Sequence, residues 1–262
     1  TLKMSRDTLL EKLSAEGIAA TAGALSPWAI RLRDKPALAK NPLFLEGAFE
    51  VQDEGSQLLG LLLEPKRGEM VVDFCAGAGG KTLLLGAMMR NTGRLYAFDV
   101  SDKRLANLKP RLARSGLSNV HPGRIEHERD QKVKRLAGKC DRVLVDAPCS
   151  GLGTLRRNPD LKWRQSEASV AELTQKQAAI LEAAARLLKP GGRLVYATCS
   201  LLAEENDAIV QAFLGTNPGF RLLPASEILG RQGIEIEGDM LRLLPHRHAT
   251  DGFFAAALER VA

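Results

Sequence analysis

After residue 65, the apolar positions follow two periodicities along most of the chain. Short apolar runs typical of buried strands recur at intervals, and residues at helical spacing fill the stretches between them. The predicted strands cover residues 70–75, 94–99, 120–125, 142–146, 193–197, 240–244 and 253–258. Because the first five strands alternate with helices, the pattern predicts an α/β fold with a doubly wound, mainly parallel sheet.

The helical stretches show where this sheet begins and what precedes it. The predicted helices cover residues 8–16, 52–63, 81–90, 103–114 and 169–189. Pro110 is expected to bend or break the fourth helix, and the Pro and Gly residues of 189–192 are expected to end the fifth. Residues 1–46 contain one short helix and a basic strand-like stretch, which is too little to bury a core alone. We therefore expect a small N-terminal α+β subdomain over 1–46 and a larger domain over 47–262.

Charge and hydropathy narrow the class of protein. The 262 residues include 37 Lys and Arg against 31 Asp and Glu, a net charge of +6 that permits a polyanionic partner without requiring one. No apolar run approaches the roughly 20 residues that span a bilayer, and no signal peptide opens the chain. We expect a cytoplasmic protein without a membrane partner. The first residue is Thr1, which indicates a piece of a longer protein.

The spacing of the four cysteines matches neither a disulfide framework nor a metal site. Cys75, Cys140, Cys149 and Cys199 are scattered and never follow the Cys-x-x-Cys spacing. The four histidines do not complete a zinc set with them. We expect free thiols, no bound metal, and a role for Cys140 as a small core residue.

A glycine-rich turn follows the first predicted strand. It reads Asp73-Phe74-Cys75-Ala76-Gly77-Ala78-Gly79-Gly80-Lys81-Thr82. Such a turn lets a ligand approach the backbone, and the following helix N-terminus offers free N–H groups. A dinucleotide site would need glycine at Thr82, and a phosphate-binding P-loop would need glycine at Cys75. The methionine portion of S-adenosylmethionine is the third possibility, and a tight turn without any ligand is the fourth.

Asp99 helps to decide between these possibilities. It ends the second strand, 26 residues after Asp73, where a carboxylate can accept both ribose hydroxyls of an adenosine. A P-loop protein does not need this residue, although a helix N-cap is a simpler role for it. Together with the glycine turn, Asp99 indicates an adenosine cofactor. After the third strand, Asp130 is our choice among residues 127–130 for an adenine contact.

Two thiols follow the fourth and fifth strands. The fourth strand ends in Asp146-Ala147-Pro148-Cys149, and the fifth ends in Thr198-Cys199-Ser200. Neighbouring parallel strands lie about 4.8 Å apart, so both thiols can face one pocket. A single buried cysteine is usually a core residue. Two cysteines at adjacent strand ends beside an acid predict a catalytic role for at least one of them.

These motifs resemble the RNA 5-methylcytosine methyltransferases of the Sun and NSUN group. The resemblance rests on residues 146–151, 156–163 and 196–200, supported by 52–56 and 244–254. One departure is plain. The usual turn of the family is Cys-Ala-Ala-Pro-Gly-Gly-Lys-Thr, and Gly77-Ala78 stands here in place of its middle pair. We expect a looser turn from this difference rather than lost binding.

The resemblance implies a fold, a cofactor and a reaction. The fold would be Rossmann-like, as in class I methyltransferases, and the cofactor would be S-adenosylmethionine. Residues 1–46 would be the end of the family's RNA-binding subdomain, and residues 47–262 would be the catalytic domain. The substrate would be a cytosine in RNA, with ribosomal RNA favoured and transfer RNA as the alternative. Cys199 would add to carbon 6, Asp146 would contact N3, and Cys149 would assist release. The implied cofactor contacts are Cys75, Ala76, Gly77, Ala78, Gly79, Gly80, Lys81, Asp99 and Asp146, with Asp130 as the weakest.

Basic residues after Cys149 suggest how RNA is held. Arg156, Arg157 and Lys162 lie near the pocket mouth, where they either bind phosphates or form a solvated face. A second basic run at residues 132–135 is interpreted as a solvated face. With aromatic residues at 5%, no stacking platform for single strands is evident. We expect a monomer. The rival functions are a P-loop ATPase, a DNA cytosine methyltransferase with its nucleophile on the fourth strand, and a non-catalytic RNA-binding module.

Overall fold

The computed structural model describes residues 1–261 as eleven α-helices and ten β-strands joined by short loops. The helices are α1 (Arg6–Ala15), α2 (Pro42–Leu45), α3 (Glu54–Leu63), α4 (Gly80–Met88), α5 (Asp102–Ser115), α6 (Gln131–Lys134), α7 (Leu161–Arg164), α8 (Glu167–Ala185), α9 (Asp207–Thr216), α10 (Ala225–Gly230) and α11 (Pro245–His248). The strands are β1 (Ala20–Ala22), β2 (Ile30–Leu32), β3 (Met70–Asp73), β4 (Arg94–Asp99), β5 (Val120–Arg124), β6 (Cys140–Asp146), β7 (Leu188–Thr198), β8 (Phe220–Leu223), β9 (Leu241–Leu243) and β10 (Phe253–Arg260). Within this part of the chain, no helix has the length and apolar character needed to cross a membrane.

Eight of the strands form one sheet. Their order is β5-β4-β3-β6-β7-β10-β8, and β9 also pairs with β10. Strands β3 to β7 are parallel, while β10 runs antiparallel to β7, β8 and β9. This topology confirms the expected doubly wound, mainly parallel α/β fold. The strand order reverses between β3 and β6, so the carboxyl ends of β3, β4, β6 and β7 share the edge at which ligands of such sheets bind.

Alternating side chains divide the core into one layer on each face of the sheet. Along β7, Leu194 and Tyr196 face the layer that contains α8 and α9, while Val195 and Ala197 face the layer that contains α3, α4 and α5. All four side chains are fully buried. This period of two is what an extended strand dictates, and burial of both faces explains why the central strands are almost continuously apolar.

A small third cluster lies in the N-terminal part of the chain. Leu9 and Leu13 of α1 pack there with Leu43 and Ala48. The β1–β2 hairpin is joined to α3 through Glu54, whose carboxylate accepts hydrogen bonds from the backbone of the loop between the two strands and from Arg31. The division of the chain into residues 1–46 and 47–262 stays a prediction.

Two expected element boundaries differ from the structure. Helix α8 ends at Ala185, and residues 189–192 lie inside β7, so the prediction that they stop the helix is wrong. Leu188 already pairs with Cys140 of β6, and a register irregularity follows between Cys140 and Arg142. The Pro and Gly residues therefore belong to an irregular strand start. Helix α5 runs without interruption through Pro110.

Candidate active site at the edge of the sheet

A partly buried ion pair lies where β3 and β6 end. Asp146 is the last residue of β6, and Lys81 is the second residue of α4, which the preceding glycine turn brings over the edge of the sheet. Lys81 Nζ lies 2.7 Å from Asp146 Oδ2. Burial opposes the charge on Lys81, but the neighbouring Asp146 carboxylate outweighs it and raises the pKa of the lysine. Lys81 is therefore a permanent cation at this edge.

The two predicted thiols meet beside this ion pair. Cys149 follows β6, Cys199 follows β7, and their Sγ atoms lie 3.5 Å apart. The hydrogen bond from Cys149 lowers the pKa of Cys199, and the charge of Lys81 adds to this effect against burial and Asp146. The same hydrogen bond and burial raise the pKa of Cys149. The arrangement therefore favours a thiolate at Cys199 and a protonated thiol at Cys149.

A buried carboxylate ties together the two turns that carry the thiols. Glu205 accepts hydrogen bonds from Ser150 N at 2.8 Å, from Ser150 Oγ at 2.5 Å and from Gln177 Nε2 at 3.0 Å. Ser150 Oγ also lies 3.1 Å from Ser200 Oγ. Each serine directly follows one of the thiols, so Glu205 fixes both turns. Sequence reasoning missed Glu205 and Gln177 because neither belongs to a motif.

Close backbone contact reinforces this arrangement at Gly153. Its N–H donates to Cys199 O, and its carbonyl accepts from Gly252 N, both at 2.8 Å. A Cβ atom here would lie 2.2 Å from Gly252 O. Only glycine fits, so the Cys149 loop is locked against the turn after β7 and the turn before β10.

The glycine turn after β3 has the features of an adenosine cofactor site. Gly79 takes a left-handed backbone with φ of +84°, which starts α4 without a side-chain cap on its N–H groups. Asp99 Oδ2 accepts from Gly77 N at 2.9 Å, and Oδ1 accepts from Ser101 N at 2.8 Å. A carboxylate accepts about four hydrogen bonds, so capacity for ribose hydroxyls is left. A Cβ on Gly77 would meet no atom within 4 Å, so the turn opens onto space that a ligand can fill.

Gly77 and Ala78, which replace the usual middle pair of the turn, each form a hydrogen bond with another segment. Gly77 is held by Asp99, and the carbonyl of Ala78 accepts from Arg111 Nη1 at 2.7 Å. Gly79 N closes the turn on the carbonyl of Ala76 at 2.9 Å. These contacts do not favour the looser turn that the sequence led us to expect.

Asp73 is a second acid at the base of this turn. Its side chain is fully buried, with Oδ2 accepting from Thr82 Oγ1 at 2.7 Å and Oδ1 left without a hydrogen-bond partner. Burial raises the pKa of Asp73 to about 7. Asp73 therefore exchanges its proton near neutral pH, whereas the sequence indicated only its position at the end of the strand.

Other predicted site residues lie in different surroundings. Asp130 is exposed and caps α6, and its two oxygens accept from Glu126 N and Lys132 N. Its adenine contact stays a prediction. Cys75 packs against the layer of the core that contains α8, and burial raises its pKa. Cys140 is fully buried, in keeping with a core residue.

The two predicted RNA-binding arginines form ion pairs with buried acids. Arg156 lies 2.7 Å from Asp251 Oδ1 and 2.7 Å from Asp53 Oδ2, and Arg157 also pairs with Asp251. Asp251 is fully buried. The arginines thus connect the segment after Cys149 to the start of α3 and to the turn before β10. Both guanidinium groups are still partly exposed, whereas Lys162 carries its ammonium 5.0 Å from the ring centroid of Trp163.

Two alternative sites find no support here. Within residues 1–261, no three His, Cys, Asp or Glu side chains come together as a group that can hold a metal ion. The lysine that resembles a P-loop lysine is engaged by Asp146, so its ammonium is not free for a phosphate.

The fold and the site together define a Rossmann-like class I methyltransferase. A family model described as 16S rRNA methyltransferase RsmB/F matches residues 60–259, and the chain belongs to this family. The resemblance seen in the sequence is thereby confirmed. The family uses S-adenosylmethionine, which confirms the expected cofactor.

Individual relatives agree with this assignment. A Synechocystis protein named "Probable ribosomal RNA small subunit methyltransferase B" is 40% identical over 270 residues, covering 99% of this chain and 58% of that protein. The crystal structure of PH0851 superposes with a TM-score of 0.89 at 36% identity, covering 99% of this chain and 58% of that one. A methyltransferase homologue from Pyrococcus horikoshii gives a TM-score of 0.84 at 33% identity, covering 99% and 84%. The chain spans about three fifths of the length of the curated relatives it matches.

Proposed function

We propose that the chain transfers a methyl group from S-adenosylmethionine to carbon 5 of a cytosine in ribosomal RNA, through a covalent bond between Cys199 and carbon 6. The observation that carries the proposal is the pair of thiols 3.5 Å apart beside the Lys81–Asp146 ion pair. Methyl transfer to an atom that is already a good nucleophile does not need a thiol. Carbon 5 of cytosine is a poor nucleophile, and addition of a thiolate to carbon 6 activates it.

The electrostatics support Cys199 as the nucleophile. The hydrogen bond between Cys149 and Cys199 lowers the pKa of Cys199, and Lys81 stabilises negative charge on the same sulfur. A nucleophilic cysteine needs such help, since the free thiol has a pKa near 8.5. In the DNA cytosine methyltransferase alternative, the nucleophile would be Cys149, whose pKa is raised by the same hydrogen bond and by burial.

The remaining groups serve the later steps. Lys81 occupies only Oδ2 of Asp146, a side chain 26% exposed, which leaves the other carboxyl oxygen to carry a proton and donate it to N3 of the cytosine as the adduct forms. The bound S-adenosylmethionine supplies an electrophilic methyl group. After carbon 5 is methylated, it loses its proton, the double bond between carbons 5 and 6 re-forms, and the bond to Cys199 breaks. Cys149 lies next to that sulfur and assists the release.

The same proposal covers the partners and the location. Arg156, Arg157 and Lys162 lie on the segment after Cys149, where their positive charges bind RNA phosphates. Names of the relatives favour ribosomal RNA as the substrate. The proposed mechanism uses both thiols in their reduced form, and a reducing compartment such as the cytoplasm keeps them so. We propose that the protein acts there as a monomer.

Single substitutions of the thiols test the mechanism. With S-adenosylmethionine and ribosomal RNA present, Cys199→Ala should abolish methylation and form no covalent protein–RNA adduct. Cys149→Ala should still form the adduct and methylate the base, but remain attached to the product. The adduct is detected by denaturing gel electrophoresis, and the methyl group by bisulfite sequencing of the RNA.

Cys140→Ala is the matched control, because that thiol is fully buried away from the edge and its pKa is raised to about 12. It should methylate RNA at the rate of the unmodified protein. An adduct that persists in Cys199→Ala and disappears in Cys149→Ala would assign the nucleophile to Cys149. Methylation at a position other than carbon 5 would overturn the proposed reaction itself.

A further inference from the structure

Three solvent-facing large apolar side chains follow strand ends that carry the site. Val100 directly follows Asp99, Leu201 lies two residues after Cys199, and Trp163 lies on α7; they are 57%, 46% and 81% exposed. Across residues 1–261, Trp163 is the most exposed of the large apolar side chains. An indole that stays in water forgoes the free energy of burial, so a partner that covers it in the working complex gains that free energy.

Trp163 is presented by a turn that is fastened to the Cys149 loop. Gln165 Nε2, just after α7, donates to Ser150 O at 2.9 Å. Leu161, at the start of α7, packs on the same loop, with its Cδ1 3.2 Å from where a Cβ on Gly151 would lie. The turn that carries the indole is therefore anchored to the loop that follows Cys149.

The charge around the indole indicates the chemistry of its partner. Residues 155–164 contain four basic side chains and one acidic side chain. Arg156 and Arg157 are paired with Asp53 and Asp251, and Arg164 is paired with Asp160, so the cation beside the indole is Lys162. Lys162 Nζ lies 5.0 Å from the centre of the Trp163 ring. Aromatic faces combined with positive charge are the means by which proteins hold single-stranded nucleic acid. A membrane-binding element would need an apolar face along a longer helix than the four residues of α7.

We propose that Trp163 is a stacking surface for a nucleobase that neighbours the target cytosine in the RNA. The inference rests on the proposed function, since methylation of carbon 5 requires the target base to leave its stack. That movement uncovers the face of an adjacent base. An indole fixed beside the Cys149 loop covers this face and holds the strand open. Trp163 is thus a binding residue and does not touch the reacting atoms.

The chain contains only two tryptophans, Trp28 and Trp163, which makes a direct optical test possible. Trp28→Phe leaves Trp163 as the sole indole, and single-stranded RNA that contains a cytosine should quench its fluorescence. Trp163→Phe is the matched control; it leaves Trp28, on the loop between β1 and β2, and should show no quenching. Binding of the same RNA is measured in parallel by mobility shift.

A second measurement concerns affinity. Trp163→Ala should weaken RNA binding by about 5- to 150-fold, the value of one base stacked on an aromatic side chain. Trp163→Phe keeps a ring in place and should retain most of the affinity. Binding of S-adenosylhomocysteine should be the same in both variants, because the cofactor turn lies on other strand ends.

The outcomes separate this inference from the proposed function. If the Trp28→Phe protein binds RNA without quenching, or if Trp163→Ala binds it as tightly as the unmodified protein, the stacking role is wrong and the methyltransferase proposal stands. If the unmodified protein neither binds nor methylates RNA, the proposed function fails and the stacking role fails with it.

Discussion

Removing the Glu205 carboxylate is the most direct way to test whether the thiol geometry depends on a buried charge. Glu205 is fully buried and accepts three hydrogen bonds, two from Ser150 and one from Gln177. A buried donor left without its acceptor costs about 1–3 kcal/mol. Ser150 Oγ can still donate to Ser200 Oγ, but Ser150 N and Gln177 Nε2 lose their acceptor. Glu205→Ala should therefore lower the free energy of unfolding by at least about 2 kcal/mol, as measured by urea titration.

Glu205→Gln isolates the effect on the thiols. Its amide oxygen can still accept from Ser150 N and Gln177, but its NH₂ group must donate to Ser150 Oγ, which reverses that hydrogen bond and turns the Ser150 hydroxyl toward Ser200. A charge-assisted hydrogen bond becomes a neutral one, which costs about 1 kcal/mol. The altered Ser150–Ser200 contact shifts the turns that carry the thiols, and with them the hydrogen bond between Cys149 and Cys199 that lowers the pKa of Cys199. Alkylation of Cys199 by iodoacetamide, followed by mass spectrometry, should shift to higher pH.

Glu204→Gln is the matched control because this neighbouring acid is exposed. It should keep both the unfolding free energy and the alkylation profile of the unmodified protein. If Glu205→Gln also kept both, the buried carboxylate would not hold the two turns. If it lowered stability but left the alkylation profile unchanged, the link from Glu205 to Cys199 would be wrong.

Three further outcomes are expected at the same edge of the sheet. Asp99→Ala should weaken S-adenosylmethionine binding by about 1.5–3 kcal/mol in calorimetry, and unchanged affinity in a folded variant would remove the ribose contact. Burial raises the pKa of Asp73 to about 7, so its protonated form favours folding below about pH 4, and this contribution is lost as the pH rises through 7. In urea titrations, the unmodified protein should lose stability relative to Asp73→Asn between pH 4 and pH 8, because the amide of the variant does not titrate. Replacing Arg156 and Arg157 by Gln should reduce the salt dependence of RNA binding by about 0.7 per lost phosphate contact, and an unchanged slope would restrict them to pairing with buried acids.

The sheet and its functional edge were predictable because their signals are local. Each of the five parallel strands coincides with a short apolar run, and the alternation of these runs with helical stretches predicts the topology. Asp146, Cys149 and Cys199 follow two such strands directly, so adjacency of the strands was enough to bring the thiols together. The pairing of β6 with β7 in the structure bears this out.

Contacts between segments far apart in the sequence could not be predicted from local patterns. Arg156 and Asp251 are 95 residues apart, and no periodic pattern connects them. The sequence suggested phosphate binding or a solvated face for Arg156, whereas the structure gives it a buried acid as a partner.

The prediction that residues 189–192 end a helix was wrong for a different reason. Pro and Gly end helices, but they are also tolerated at an irregular strand start, and pairing with β6 decides between the two.

Lys81 joins the two halves of the site and explains a signal that was ambiguous in the sequence. In the chain it belongs to the glycine turn, where Gly80-Lys81-Thr82 resembles the end of a P-loop. In the structure its ammonium lies against Asp146, and its charge adds to the hydrogen bond with Cys149 in lowering the pKa of Cys199. A lysine at the start of α4 reaches the ends of both β6 and β7 because α4 begins over the same edge of the sheet. The same cation therefore sits between the cofactor turn and the thiols, so that removing it would disturb cofactor binding, Asp146 and the ionisation of Cys199 together.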